Sequence, residues 1–122
     1  MLPLAEDDLR ALVHDFYARI RDDAALGPVF NDHVADWPEH LEKLTGFWAK
    51  MMLGEGAYQG NPMQVHHRLR ARLSPELFAR WLALWGEVSA ARLPAEAALA
   101  LQERAGRMAV NLQRGCGLLP GW

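Results

Sequence analysis

Apolar residues recur at helical spacing along almost the whole chain, and no stretch alternates as a half-buried strand would. Leu9, Leu12, Val13, Phe16, Tyr17 and Ile20 form the first stripe, which predicts a helix over about residues 6 to 21. Leu26-Gly27-Pro28-Val29-Phe30 reads as a break followed by a short turn. Asp36 is placed to cap a second long helix with Pro38 in its first turn. This helix carries His40, Leu44, Phe47 and Met51 on one stripe, with Leu41, Trp48 and Met52 beside it, and stops at Gly54. A glycine-rich loop runs from Gly54 to Pro62, and a short helix then holds Val65, His66, Leu69 and Leu73. Ser74-Pro75 opens the next helix, with Phe78, Trp81, Leu82, Trp85 and Val88 as its stripe. Pro94 opens the last, with Leu101, Ala105, Met108, Ala109 and Leu112 inward and Gly115 and Gly117 at its end. The expected fold class is therefore all-α: four substantial helices with shorter connecting pieces, forming one domain over residues 1–122.

Charge and cysteine content narrow the function classes. The formal net charge is -2, so the basic excess of a general nucleic-acid binder is missing. No apolar run is long enough to span a bilayer, and the acidic start, Glu6-Asp7-Asp8, does not read as a signal peptide. Cys116 is the single cysteine, which excludes an internal disulfide. These features lead us to expect a cytoplasmic protein without a nucleic-acid or membrane partner. Five tryptophans in 122 residues need large surfaces to pack on. They serve either as plain core or as walls around a flat ligand, and composition does not choose between the two.

The five histidines divide by their neighbours. His14 and His33 lie among polar residues, so solvent exposure is expected for both. His66 and His67 are adjacent, which separates them by about 100° around a helix. His66 shares its face with Leu69 and Leu73, whereas His67 shares one with Arg70 and Ala71. Taken alone, an inward His66 is more often a core histidine bonded to a carbonyl than a metal ligand. Histidine is, however, also a common ligand of haem iron. His40, Tyr17 and Trp81 sit on the inner stripes of three other helices, so four polar-tipped side chains point into one small core. That arrangement is expensive unless something polar waits there. Simple packing remains the plainer reading of Trp48 and Trp85, and for Tyr17 a backbone hydrogen bond and a ligand contact are about equally good.

Other motifs carry little. Gly54-Glu55-Gly56 follows a helix and lacks a Lys-Ser/Thr pair, so it is no phosphate loop. No zinc-type Cys/His spacing occurs. Arg68, Arg70 and Arg72, and likewise Arg107 and Arg114, read as solvated faces.

The segment from Phe47-Trp48-Ala49-Lys50 through Gly54-Glu55-Gly56-Ala57-Tyr58-Gln59-Gly60-Asn61-Pro62 to His66 resembles the group III truncated bacterial haemoglobins. Phe16-Tyr17 with Leu26-Gly27-Pro28-Val29-Phe30, Trp37-Pro38-Glu39-His40, and Phe78 with Trp81 carry the resemblance across nearly the whole chain. The glycine pairs of other truncated groups are not evident. The resemblance implies a truncated globin, a two-over-two helical sandwich around haem b. It places the proximal, iron-binding histidine on His66. The distal tyrosine falls on Tyr17 with Phe16 before it, the distal histidine on His40, and the tryptophan that reaches the ligand on Trp81. Phe30, Leu44, Phe47 and Phe78 fall on pocket walls, and Lys43 falls where a basic side chain meets a haem propionate. The arginine-rich stretch after His67 departs from the family pattern.

The implied function is binding of oxygen and other small diatomic ligands, carbon monoxide and nitric oxide among them, at an iron able to stay pentacoordinate. An enzyme on the same site, a nitric oxide dioxygenase or a peroxidase, is the alternative. It would need an external reductase, because the chain has no flavin or nicotinamide motif. A haem-free helical interaction module with tryptophans as plain core is the third reading.

Overall fold

The computed structural model describes residues 3–55, 58 and 60–119. Its elements are α1 (Glu6–Asp22), α2 (Gly27–His33), α3 (Trp37–Leu53), α4 (Pro62–Arg68), a 3-10 turn (Arg70–Arg72), α5 (Pro75–Arg92) and α6 (Ala95–Gly115). No strand occurs among the described residues.

One device starts three of these helices. A short polar side chain accepts a hydrogen bond from the backbone N–H three residues on, and a proline stands in the first turn. Asp36 accepts from Glu39, Asn61 from Gln64 and Ser74 from Leu77, at 3.0, 3.0 and 3.2 Å. α3 stops where Gly54 turns left-handed at φ 71°. α1 carries Glu6, Asp7 and Asp8 in its first turn and Arg19 and Arg21 in its last, each end matched to the helix dipole.

α1 packs against α3 and α5, and α5 against α6, giving two stacked helix pairs. All six residues of the expected α1 stripe are buried. Trp48 and Trp85 are fully buried and stacked with ring centroids 4.7 Å apart, and Trp81 continues the column at 5.3 Å from Trp85. The Trp85 indole N–H donates to the Leu101 carbonyl at 3.3 Å. Packing thus accounts for Trp85, and Trp48 both packs in this column and lines the cavity between the helix pairs. No described helix is long and apolar enough to cross a membrane.

Two local expectations change. The stretch after Leu26 is a helix, α2, rather than a turn. Asp23 shapes the turn before it: its carboxylate accepts from the N–H groups of Ala25 and Leu26 at 3.1 and 3.0 Å, its backbone carbonyl accepts from Gly27 at 2.8 Å, and Arg80 holds the same carboxylate at 2.9 Å. The short helix carrying His66 ends at Arg68, so Leu73 lies beyond it. There the Arg70 side chain donates to the His67 carbonyl at 2.8 Å and the backbone tightens into the 3-10 turn. Leu73 and Ser74 are extended, as Pro75 requires of the residue before it.

Candidate functional site

A cavity of about 250 Å³ opens between the two helix pairs, and every helix contributes to its lining. Phe30 comes from α2, Leu44 and Phe47 from α3, Phe78 and Trp81 from α5, and Ala105 and Met108 from α6. α3 divides its residues between two tasks. Thr45 and Ala49 are buried against the core, His40, Leu44 and Phe47 face the cavity and are half-buried, and the buried Trp48 does both.

Polar tips reach the cavity in two groups. The first is His66 on α4, whose ring lies 6.1 Å from that of Phe78. Its Nδ1 is 2.7 Å from the Pro62 carbonyl oxygen, one turn earlier. A carbonyl only accepts, so Nδ1 carries the proton and Nε2 keeps its lone pair. Burial pulls the His66 pKa down, the Pro62 carbonyl opposes this, and the charge of His33 adds to the fall. The result is a neutral imidazole of fixed tautomer on a cavity wall, the state in which histidine ligates a metal. α4 itself is set down closely on α6: the end of the Met63 side chain lies where a Cβ on Gly115 would stand.

The second group is Tyr17, His40 and Trp81, from α1, α3 and α5. Tyr17 is only 4% exposed. Its ring meets Phe16, Phe30, Trp37 and His40 at centroid distances of 4.8, 5.7, 6.1 and 6.5 Å. Burial raises the Tyr17 pKa far above its ordinary value, and a hydrogen bond from the Trp81 indole N–H opposes the rise only in part. The hydroxyl therefore stays protonated. Its O–H is thus able to donate. His40 is half-buried, and its pKa falls through burial first and the charges of His33 and Lys43 after it.

Of the other residues singled out in the sequence, Phe30, Lys43, Leu44, Phe47 and Phe78 line the cavity. Phe16 does not line it. It stands behind, fully buried, with its ring edge-on to Tyr17, Trp81 and Trp85 at 4.8, 5.0 and 4.9 Å, and so fixes the angles of two of the polar groups. His14 and His33 are exposed as expected, but His33 also lines the cavity mouth. Tyr58, to which the sequence reading gave no role, lines the cavity as well and packs edge-on to Phe47 at 5.0 Å. Gly56, Ala57 and Gln59 of the same loop lie outside the described residues. Arg72 is not merely solvated; it pairs with Asp32 at 2.9 Å.

The arrangement fits a flat apolar macrocycle carrying a metal. The walls are aliphatic and aromatic, one neutral imidazole is available as a ligand, and a separate set of donors is available to a small second ligand.

Comparison with known proteins agrees. The bacterial-like globin family model matches residues 5–112. The chain is 38% identical over 86 residues to the Group 3 truncated hemoglobin ctb of Campylobacter jejuni subsp. jejuni, covering 67% of each protein. The crystal structure of the group III truncated hemoglobin from Campylobacter jejuni superposes with a TM-score of 0.83 at 32% identity, over 93% of this chain and 91% of that one. The two-over-two packing and the cavity between the pairs are thus those of a truncated globin, and the chain belongs to the bacterial-like globins as a group III truncated haemoglobin.

Proposed function

We propose that the chain is a single domain, residues 1–122, that binds haem b in this cavity and uses it to hold oxygen and other small diatomic ligands, in the cytoplasm. Bound haem supplies an iron centre with affinity for such gases. His66 is the iron ligand in this reading, oriented by the Pro62 carbonyl. Phe30, Leu44, Phe47 and Phe78 pack the macrocycle's faces and edges, and Lys43 meets a propionate. Tyr17, kept protonated by burial, directs its O–H at a ligand that develops negative charge. A hydrogen bond to such a ligand is worth about 1.5–3 kcal/mol. The Trp81 indole, also on the cavity wall, is a second donor to that ligand, and the half-buried His40 stands beside Tyr17 at the ligand's approach. Such strong donors favour slow release, which suits retention of oxygen better than its rapid transport.

The observation that carries this reading is the pairing of one neutral, oriented imidazole with a separate donor set across an apolar cavity. Absorption spectra of the protein with one equivalent of haem, in ferric, ferrous and carbon monoxide forms, test it. A strong Soret band saturating at one haem per chain, with a carbon monoxide shift, is expected. Absence of a saturable Soret band would leave only a haem-free helical module.

A further inference from the structure

Every wall of the cavity is apolar or half-buried except at one edge. Of the described lining residues, only His33 and Lys43 are exposed to solvent, so these two mark the mouth. His33 ends α2 and Lys43 lies in the second turn of α3, so the mouth is framed from two elements. Both side chains are basic, and no aspartate or glutamate lines the cavity among the described residues. Both act electrostatically on His40, which lines the same cavity. A ligand in this cavity would meet hydrogen-bond donors and positive charge where its edge passes these two residues. The chemistry selected is a flat apolar molecule with carboxylates along one edge.

The nearest acidic side chain in sequence to His33 is Asp32, which could take the imidazole N–H for itself. Arg72 instead holds the Asp32 carboxylate at 2.9 Å. Arg72 stands in the 3-10 turn just after α4, so this ion pair also spans from the helix of His33 to the segment following His66.

We propose that His33 is a second carboxylate anchor at the mouth, acting with Lys43 on the two propionates of haem, and that the Asp32–Arg72 pair keeps it available. The proposal rests on the haem reading above. An imidazole N–H donates to a carboxylate whether or not the ring is charged, so His33 serves in either form. The pair also gives Arg72 of the arginine-rich stretch a partner: it neutralises the acid next to His33 in the chain.

The test is haem loss from the holoprotein to an excess of a haem-scavenging protein. Each variant is loaded either with haem or with its dimethyl ester, in which both carboxylates are capped. H33Q is expected to speed loss of haem roughly threefold, the scale of an exposed charged contact, and to leave loss of the ester unchanged. R72Q is expected to speed loss of haem, and the R72Q/D32N double variant to restore the wild-type rate. Equal haem loss from wild type and H33Q, or equal acceleration for haem and ester, would overturn the anchor. No rescue by D32N would overturn the role given to the ion pair. If the wild type took up neither form, the haem reading itself would fall.

Discussion

The Nδ1 atom of His66 lies 2.7 Å from the carbonyl oxygen of Pro62. Both belong to α4, a helix of seven residues, which Asn61 caps by accepting from Gln64 and on which Met63 packs closely against Gly115. The imidazole thus depends on three local features: a cap, a proline whose carbonyl accepts, and a glycine on the opposing helix. Together they fix a tautomer and a direction before any cofactor arrives.

Tyr17→Phe is expected to speed oxygen dissociation at least about tenfold, since tenfold corresponds to only about 1.4 kcal/mol. The substitution keeps the ring and its contacts with Phe16 and Phe30 and removes only the hydroxyl. Carbon monoxide develops little negative charge and should be released at nearly the wild-type rate. Stopped-flow displacement of each gas measures both. Equal acceleration for the two gases would mean a loosened pocket, and an unchanged oxygen rate would remove Tyr17 as a donor.

The apoprotein should lose stability as pH falls below about 6.5, the ordinary histidine value. His40 and His66 both have pKa values below that, so protonating them costs more in the folded chain than in the unfolded one. The stabilising contribution of the neutral rings is therefore complete above about pH 6.5 and declines beneath it. Asp23 and Glu42, whose pKa values are also lowered, act only in the carboxylate range further down. Thermal midpoints at about pH 7.5 and 5.5 should differ, and His40→Gln should narrow the difference. An identical drop in wild type and variant would contradict the assignment.

Gly27→Ala should destabilise the protein by about 1–3 kcal/mol, the usual range for overpacking. A Cβ here would stand 2.7 Å from the Arg21 carbonyl oxygen, a backbone atom with little freedom to withdraw. α2 would have to shift, and with it Phe30 and His33. Urea unfolding gives the free energy directly. A variant as stable as wild type would show that the α1–α2 junction has slack.

Haem should raise the unfolding midpoint. The cavity leaves Phe47, Phe78 and Trp81 half-buried, and a ligand that covers them binds the folded state alone. At about 100 times its dissociation constant such a ligand adds about 2.7 kcal/mol. Melts with and without haem decide this, and equal midpoints would count against the cavity as the binding site.

Much of this was legible in the sequence because apolar periodicity and capping are local. The α1 stripe, the Asp36 cap and the left-handed Gly54 all stand where the residues alone place them. α2 has no side-chain cap to announce it, and the Asp23 turn before it is completed by Arg80, far away in the chain. Phe16 and Tyr17 are neighbours on one buried stripe, yet only one reaches the cavity, and periodicity cannot separate a lining residue from the one behind it. His33 looked like an ordinary surface histidine and is indeed exposed; its place at the mouth depends on how α2 sits against α3. The role of Arg72 follows from a partner forty residues away, a separation no local pattern records.

The central claim, that His66 holds the cofactor's iron, is tested most directly by haem content after purification and desalting. His66 lines the cavity with Nδ1 engaged, while its neighbour His67 is exposed and takes a contact from Arg70. His66→Ala is expected to lose most of its haem, and His67→Ala to keep about one per chain. Haem retained by His66→Ala and lost by His67→Ala would contradict the account.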